Sequence, residues 1–228
     1  MDFLHQALFG YYPYIALTVF LLGSLLRFDR EQYSWRSGSS QLLSKDKLRL
    51  GSNLFHIGIL GLLAGHSVGL LTPIWVFEAL GVSHESKQLL AIVAGSIFGA
   101  SCVTGMVILL RRRLTTPRIR LTSSRMDIAI LALLLAQGIL GLVTVPFSWM
   151  HRSGETMVLF MTWAQSILTF RPGAADVIRD VGFVFKIHVF LGLTIVLLFP
   201  FSRLVHLWSA PIGYVGRCYQ VVRTRKVG

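Results

Sequence analysis

Four of the chain's seven histidines lie within or at the end of long apolar stretches. They are His56 and His66 in one stretch, and His188 and His206 in another. An ionisable side chain inside a membrane is costly and usually faces the protein interior or serves a function. Neutral imidazole is a strong iron ligand, and a haem takes its axial ligands from rigid elements of the protein. Two histidines on facing helices can clamp one porphyrin, so the pattern predicts two bis-histidine haem sites. A single such histidine could simply be a satisfied hydrogen-bonding group, but four on two helices favour ligation.

The elements that must position these histidines are membrane spans. The chain has 228 residues, of which 54% are hydrophobic and 14% charged, whereas soluble domains are about 25% charged. Five continuously apolar stretches approach the roughly 20 residues that a helix needs to cross a bilayer, and they lack the alternation of membrane strands. We therefore predict an all-α membrane protein with five transmembrane helices. The predicted spans are 12–26 with 3–9 in front of it, 50–71, 88–110, 128–147 and 181–205.

The distribution of charge orients these spans. With the N-terminus outside, 17 of the 22 Lys and Arg residues fall on the inner side, in 27–50, 111–127 and 203–228. Because cytoplasmic loops are enriched in Lys and Arg, this split predicts an N-terminus outside and a C-terminus inside. It also explains the net charge of +12 without a nucleic-acid partner. We predict a transmembrane domain at 1–208, a cytoplasmic tail at 209–228, and a short helix on the outer surface at 163–168.

Helix geometry indicates how the histidines pair. The second and fifth spans cross in opposite directions, so His56 is level with His206 near the inside, and His66 is level with His188 further out. The ten residues from His56 to His66 rise about 15 Å and the eighteen from His188 to His206 about 27 Å, a mismatch of about 12 Å. At about 100° per residue, His188 and His206 share a helix face, whereas His56 and His66 lie about 80° apart. Pro200 lies between His188 and His206 and predicts a kink that absorbs the mismatch.

Other metal sites fit the sequence less well. Zinc and di-iron sites need clustered ligands, often carboxylates, and the second and fifth spans contain no Asp or Glu. Cys102 and Cys218 belong to no C-x-x-C pair, so iron–sulfur clusters and covalently attached haem are not predicted. The predicted haems are therefore b-type and are held by ligation and packing.

Four segments resemble a known family. The segment SNLFHIGILG (52–61), followed by Gly65 and His66, looks like the second span of the gamma subunit of respiratory nitrate reductases. The segment LLFPFSRLVH (197–206) looks like the fifth span of that family, and YPYI (12–15) and RRRL (111–114) add to the match. The resemblance covers nearly the whole chain.

The resemblance implies a membrane cytochrome b with two haems b, an outer one on His66 and His188 and an inner one on His56 and His206. Quinol, the substrate, would be oxidised near the outer haem, and its protons would be released outside. Electrons would pass inward to an iron–sulfur beta subunit and then to a molybdenum-containing alpha subunit that reduces nitrate, both on the cytoplasmic side. The resemblance also implies a location in the bacterial cytoplasmic (inner) membrane, surrounded by lipid.

Lys87 is the candidate catalytic residue for quinol, because it lies at the outer start of the third span on the side of the outer haem. Its ammonium could donate a hydrogen bond to a quinol oxygen or a haem propionate; the alternative is a lysine that snorkels to the membrane interface. Gly65 could make room for haem or quinol, and Lys186 is a weaker candidate. The inner arginines that could pair haem propionates, although the inside charge bias already explains them, are Arg111, Arg112, Arg113 and Arg203. The glycines that predict close helix packing by their spacing of four are Gly61, Gly65, Gly69, Gly95 and Gly99.

Two other functions stay open. A di-haem cytochrome b could serve a different cytoplasmic reductase, of the heterodisulfide- or sulfite-reductase kind. A small transporter could instead use intramembrane histidines as a proton relay. For the basic tail at 209–228, docking on the iron–sulfur subunit is the hypothesis and anionic lipid is the alternative partner.

Overall fold

The computed structural model describes residues 2–35, 47–150 and 153–209, and all regular structure within them is helical. Five helices are long and apolar enough to cross a membrane, which confirms the all-α class and the predicted number of candidate spans. We number these spans 1 to 5: Phe3–Arg30, Leu48–Leu71, His84–Thr115, Arg125–Met150 and Phe183–Phe201. The shorter helices are Gln32–Ser34, Ile74–Ala79, Pro117–Thr122, Glu155–Leu168, Ala174–Val177 and Arg203–Ser209. Of the predicted tail at 209–228, residues 210–228 lie outside the described residues.

The two ends of the helix bundle differ in charge. We call the end that carries Arg27, Arg113 and Arg203 the basic end, and the opposite end, where span 3 begins, the Lys87 end. At the basic end, span 4 starts with a reciprocal capping box. The backbone N–H of Asp127 donates to Ser124 Oγ at 3.1 Å, and the backbone N–H of Ser124 donates to Asp127 Oδ2 at 3.2 Å. This cap fixes the Asp127 carboxylate at the basic end.

Span 1 is longer than predicted and begins with a π-helical turn, Ala7–Tyr11, between Asp2–Gln6 and Tyr12–Arg30. The carbonyl of Phe9 in that turn accepts a hydrogen bond from Trp163 Nε1 at 3.0 Å. Trp163 belongs to Glu155–Leu168, so the short helix predicted at 163–168 is present. Its Trp163 side chain is buried against span 1 and does not lie on the surface.

The spans pack in the order 2–3–4–5–1. Spans 2 and 3 approach most closely at two glycines: a Cβ at Gly58 would collide with the backbone of Cys102, and one at Gly105 with the backbone of Phe55. Of the glycines predicted to mediate packing, Gly61 and Gly99 contact neighbouring side chains, whereas Gly65, Gly69 and Gly95 face open space.

Span 5, predicted at 181–205 with a kink at Pro200, is interrupted more strongly than a kink. Its α-helix, Phe183–Leu198, gives way to a 3-10 turn at Phe199–Phe201. Ser202 is extended (φ −116°, ψ 178°), and a second 3-10 helix, Arg203–Ser209, follows. The break lies at Pro200, where a kink was predicted, because proline lacks the N–H that would continue the helix. The prediction that His188 and His206 share one helix face assumed a continuous helix and is therefore wrong.

Candidate functional site

The four histidines face the gap between spans 2 and 5. In the part of the chain that the structure describes, these two spans have no extensive backbone contact, since each packs on other neighbours. The ring centroids of His56 and His206 are 6.5 Å apart with an interplanar angle of 74°. Those of His66 and His188 are 6.3 Å apart with an angle of 40°. The structure thus brings together the two pairs named by the level-matching argument, the first toward the basic end and the second toward the Lys87 end.

The separation of the rings suits a metal ion between them. Two imidazole–metal bonds of about 2.0 Å, plus about 1.1 Å from each nitrogen to its ring centre, place the centroids about 6.2 Å apart. The observed 6.5 and 6.3 Å are close to that value. Among the described residues no three His, Cys, Asp or Glu side chains converge. Paired axial imidazoles fit a metal whose remaining ligands come from a macrocycle, as in haem.

Three of the histidines are hydrogen-bonded in the way that metal-ligating histidines usually are. Nδ1–H donates to a backbone carbonyl one turn earlier in His56 (Ser52, 2.7 Å) and in His66 (Leu62, 2.8 Å). In His206, Nδ1–H donates to the carbonyl of Arg203 at 2.6 Å. Donation from Nδ1 fixes the tautomer and leaves Nε2 free to bind a metal.

His188 is held differently. Its Nδ1 is buried and has no hydrogen-bond partner among the described residues. The side-chain amide of Gln137, on span 4, donates to the backbone carbonyl of His188 at 3.1 Å and lies 3.4 Å from His188 Nε2. Gly141, one turn further along span 4, leaves room for this ring, because a Cβ there would lie 3.2 Å from His188 Cε1. Gln137 and Gly141 together form the wall behind His188.

Two glycines of span 2 keep the space beside His66 open. A Cβ at Gly65 or at Gly69 would meet no atom within 4 Å. Helix packing therefore does not explain these glycines, although it explains Gly58. A bulky planar group needs open space beside its axial ligands, and span 2 leaves such space next to His66. The residues present therefore fit a haem in this gap.

At the basic end, Arg27 of span 1 caps the break in span 5. Its Nη1 donates to the carbonyls of Pro200 and Ser202 at 2.6 and 2.8 Å. The rest of its guanidinium donates to Ser34 Oγ and to the Ser34 carbonyl, at 3.0 and 3.2 Å. The carbonyls at the end of a helix have no partners within it. Arg27 therefore satisfies carbonyl groups that the irregular segment before His206 leaves open.

Asp127 holds the same segment from span 4. Its Oδ1 accepts a hydrogen bond from Arg203 Nε at 2.8 Å, and its Oδ2 lies 3.7 Å from Arg113 Nη1. Arg203 and Arg113, two of the arginines suggested for haem propionates, thus have a carboxylate partner within the chain. Of the other two, Arg112 is buried and Arg111 is exposed.

Lys87 is buried, with only 8% of its surface exposed. Its Nζ donates to the carbonyl of Gly69 at 3.2 Å and to Met161 Sδ at 2.8 Å. It also lies 3.7 Å from the centre of the Phe77 ring, at a distance suited to a cation–π contact. The side chain therefore points into the protein and does not snorkel. Its contact with Gly69, three residues after His66, places the ammonium at the same end as the His66 pair.

The weaker candidate, Lys186, makes a different contact from Lys87. Its Nζ donates to the backbone carbonyl of Arg179. This contact ties the start of span 5 to the loop before it, and accounts for Lys186 as a structural residue.

Comparison with known proteins gives the family. A family model described as nitrate reductase gamma subunit matches residues 5–225. The chain is 51% identical to respiratory nitrate reductase 1 gamma chain of Escherichia coli (strain K12) over 225 residues, which are 99% of this chain and 100% of that protein. The chain belongs to the nitrate reductase gamma subunit family. The suspected resemblance is thereby confirmed.

Other gamma chains match over equally long stretches. Identity is 50% over 226 residues to respiratory nitrate reductase 2 gamma chain of the same organism, covering 99% of this chain and 100% of that protein. It is 40% over 220 residues to nitrate reductase gamma chain of Bacillus subtilis (strain 168), covering 96% and 98%. A gamma chain is one subunit of several, so this member of the gamma-subunit family is part of a multi-subunit oxidoreductase.

Three residues of the site escaped sequence reasoning: Arg27, Asp127 and Gln137. Gln137 is the only amide in span 4, a signal that could have found it. The pattern Ser124-x-x-Asp127 is a capping-box signature, but it does not reveal that the carboxylate also binds Arg203. Arg27 was indistinguishable from any other arginine on the predicted inner side.

Proposed function

We propose that the protein is the membrane-anchoring, quinol-oxidising cytochrome b subunit of a respiratory nitrate reductase. His56 and His206 hold one haem b and His66 and His188 the other, and these haems, when bound, supply one-electron transfer between the two faces of the membrane. The observation that carries the proposal is the presence of two histidine pairs on opposite walls of one gap, each spaced for axial ligation.

The orientation follows from charge. The basic end faces the cytoplasm because most Lys and Arg residues lie on that side. The pair of His56 and His206 then faces the cytoplasm, and the pair of His66 and His188 faces the outside. The membrane is the bacterial cytoplasmic (inner) membrane, which is where a quinol pool can feed a cytoplasmic reductase.

Lys87 is the residue proposed to act on quinol. A quinol that loses its protons and electrons develops negative charge on its oxygens, and a fixed ammonium donor stabilises such charge best in a site shielded from water. Lys87 is buried, and the partners of its Nζ are neutral: a carbonyl, a thioether and an aromatic ring. A quinol oxygen can replace one of them at little cost. The open space at Gly65 and Gly69 gives the ring access from the side of His66.

The partners follow from the family and the orientation. An iron–sulfur beta subunit and a molybdenum-containing alpha subunit sit on the cytoplasmic side, at the basic end. Quinol protons are released on the opposite side, so the reaction contributes to the proton-motive force. The basic tail at 209–228 is proposed to dock on the beta subunit. Removal of that tail is expected to reduce co-purification of the beta subunit, and unchanged assembly would contradict the docking.

The decisive experiment is a visible spectrum of membranes that contain the complex. Reduction by a quinol is expected to give the bands of two b haems, and added nitrate is expected to reoxidise them. Absence of haem bands would reject the cytochrome and favour a transporter. Haems that quinol reduces but nitrate does not reoxidise would reject nitrate reductase and favour a different cytoplasmic reductase, of the heterodisulfide- or sulfite-reductase kind.

A further inference from the structure

His206 stands beyond the break in the helix of span 5. The α-helix of span 5 ends at Leu198, and the extended residue Ser202 separates it from the 3-10 helix that carries His206. Ser202 ties the two segments together locally, because its Oγ donates to the Phe199 carbonyl at 2.9 Å and accepts from the Leu204 N–H at 3.2 Å. The His206 ring, 6.5 Å from that of His56, lies four residues beyond Ser202, where contacts from spans 1 and 4 also hold the segment.

Two hydrogen bonds, joined through Arg203, connect span 4 to the His206 ring. Asp127 Oδ1 accepts from Arg203 Nε at 2.8 Å. The backbone carbonyl of the same Arg203 accepts from His206 Nδ1–H at 2.6 Å. Arg203 is thus held by its side chain and orients the imidazole with its main chain. The carboxylate at the origin of this chain is itself anchored by the reciprocal cap with Ser124.

The surroundings strengthen the hydrogen bond between Asp127 and Arg203. The side chains of Asp127 and Arg203 are 18% and 25% exposed, so water competes only weakly for them. Charge-assisted hydrogen bonds are shorter and stronger than neutral ones, and more so where water is excluded. Arg113 approaches the second carboxylate oxygen, at 3.7 Å, so the carboxylate is held on both sides.

We propose that Asp127 is the positioning residue for the cytoplasm-facing haem ligand: through Arg203 it sets the orientation of the His206 imidazole. This inference rests on the proposed ligation of haem by His206 and deepens it. Asp127 touches neither haem iron nor quinol, and its effect is confined to the basic end. The orientation of a haem ligand's ring and the hydrogen bond on its second nitrogen tune the iron.

The test compares Asp127→Asn with Asp176→Asn in membranes that contain the complete complex. Asp176 is the matched control, because it also pairs with an arginine, Arg179 at 2.5 Å, but is exposed and lies outside the basic end. The readouts are the low-spin EPR signals and midpoint potentials of the two haems, assigned with His206→Leu and His188→Leu. Low-spin signals depend on the angle between the two imidazole planes, which is 74° for His56 and His206.

In Asp127→Asn we expect a shifted or partly high-spin signal and a shifted potential for the cytoplasm-facing haem alone. Asp127→Glu is expected to restore part of the original signal, and Asp176→Asn to change neither haem. Arg203→Gln should reproduce the change, and the double variant with Asp127→Asn should add little to it, because residues in one hydrogen-bonded chain act as a unit.

Both haems unchanged in Asp127→Asn would overturn the inference, and so would equal loss of both, since that would mean a general loss of stability. These results differ from failure of the proposed function, which would appear as the absence of two bis-histidine haems in the unaltered protein.

Discussion

The two ends of the gap between spans 2 and 5 present the same pair of side chains by different means. At the Lys87 end, His66 and His188 both stand on regular α-helix. At the basic end, His56 stands on α-helix, but His206 stands on a 3-10 segment beyond a break. Gln137 and two glycines lie beside the first pair, and Lys87 lies at the same end. Charged groups from spans 1 and 4 hold the second.

The difference shows that span 5 departs from a regular helix where this is needed to bring His206 level with His56. Ten residues separate His56 from His66, a rise of about 15 Å, whereas eighteen residues of unbroken helix after His188 would rise about 27 Å. Ending the α-helix at Leu198 lets the chain turn, so that His206 comes level with His56. The break leaves backbone carbonyls without helical partners. Arg27 satisfies two of them, which connects the charge at this end with the placement of the ligand.

The largest expected effect comes from removing a ligand. His206→Leu and His56→Leu should each abolish the same haem signal, and His188→Leu and His66→Leu the other, because loss of either axial imidazole leaves a b haem with one protein ligand. The measurement is a redox-difference spectrum with EPR of purified complex. His84→Gln, at the exposed start of span 3, is the control and should keep both haems. If His66→Leu and His206→Leu removed the same haem, the proposed pairing of the histidines would be wrong.

Lys87→Met should reduce turnover with quinol by about 100-fold, the size found when one donor to a developing oxyanion is removed. Both haem spectra should remain, since in the described part of the chain Lys87 contacts Gly69, Met161 and Phe77 and no histidine of either pair. The measurement is quinol-dependent nitrate reduction beside haem content. Lys186→Met is the matched control, because the Nζ of that lysine donates to the backbone carbonyl of Arg179 in the loop before span 5. Full quinol activity in Lys87→Met would show that Lys87 does not act on quinol.

Arg27→Met should weaken the basic end selectively. Hydrogen bonds to charged groups contribute about 1.5–3 kcal/mol each, and Arg27 donates two to the broken end of span 5. We expect a lower thermal unfolding midpoint and partial loss of the cytoplasm-facing haem, with the other haem retained. Differential scanning calorimetry and haem spectra measure these effects. Arg30→Met, at an exposed position in the same helix, is the control. Equal loss of both haems would show that Arg27 supports the whole bundle instead.

Much of the fold and of the pairing of the histidines could be predicted from the sequence. Apolar length and the absence of alternation gave the five helices, and opposite crossing directions gave the two level-matched histidine pairs. The break in span 5 could be anticipated only as a kink at Pro200, because propensity does not say whether a proline bends a helix or ends it. The structural role of Asp127 could not be read at all, since it depends on Arg203, 76 residues away. Burial of Lys87 was likewise hidden, because its partners Gly69 and Met161 come from distant parts of the chain.

The smallest expected effect concerns the Lys87 end. In the part of the chain that the structure describes, His188 Nδ1 and Gln137 Oε1 are buried without a hydrogen-bond partner, and the two side chains meet at Gln137 Nε2 and His188 Nε2. Iron bound at Nε2 would displace the Gln137 amide nitrogen, which lies 3.4 Å from that atom, and would leave the proton on Nδ1. Rotation of the amide would then present Oε1 as an acceptor for this proton. Hydrogen bonding from the second nitrogen makes an imidazole a stronger donor to iron, which favours the oxidised state. Gln137→Leu should therefore raise the midpoint potential of the outward-facing haem and leave the other unchanged. Thr144→Val, also on span 4, is the control, since the Thr144 hydroxyl donates to the carbonyl of Gly141 in its own helix. A potentiometric titration in which Gln137→Leu shifts the midpoint potential of neither haem would mean that the Lys87 end, unlike the basic end, holds its ligand by helix geometry alone.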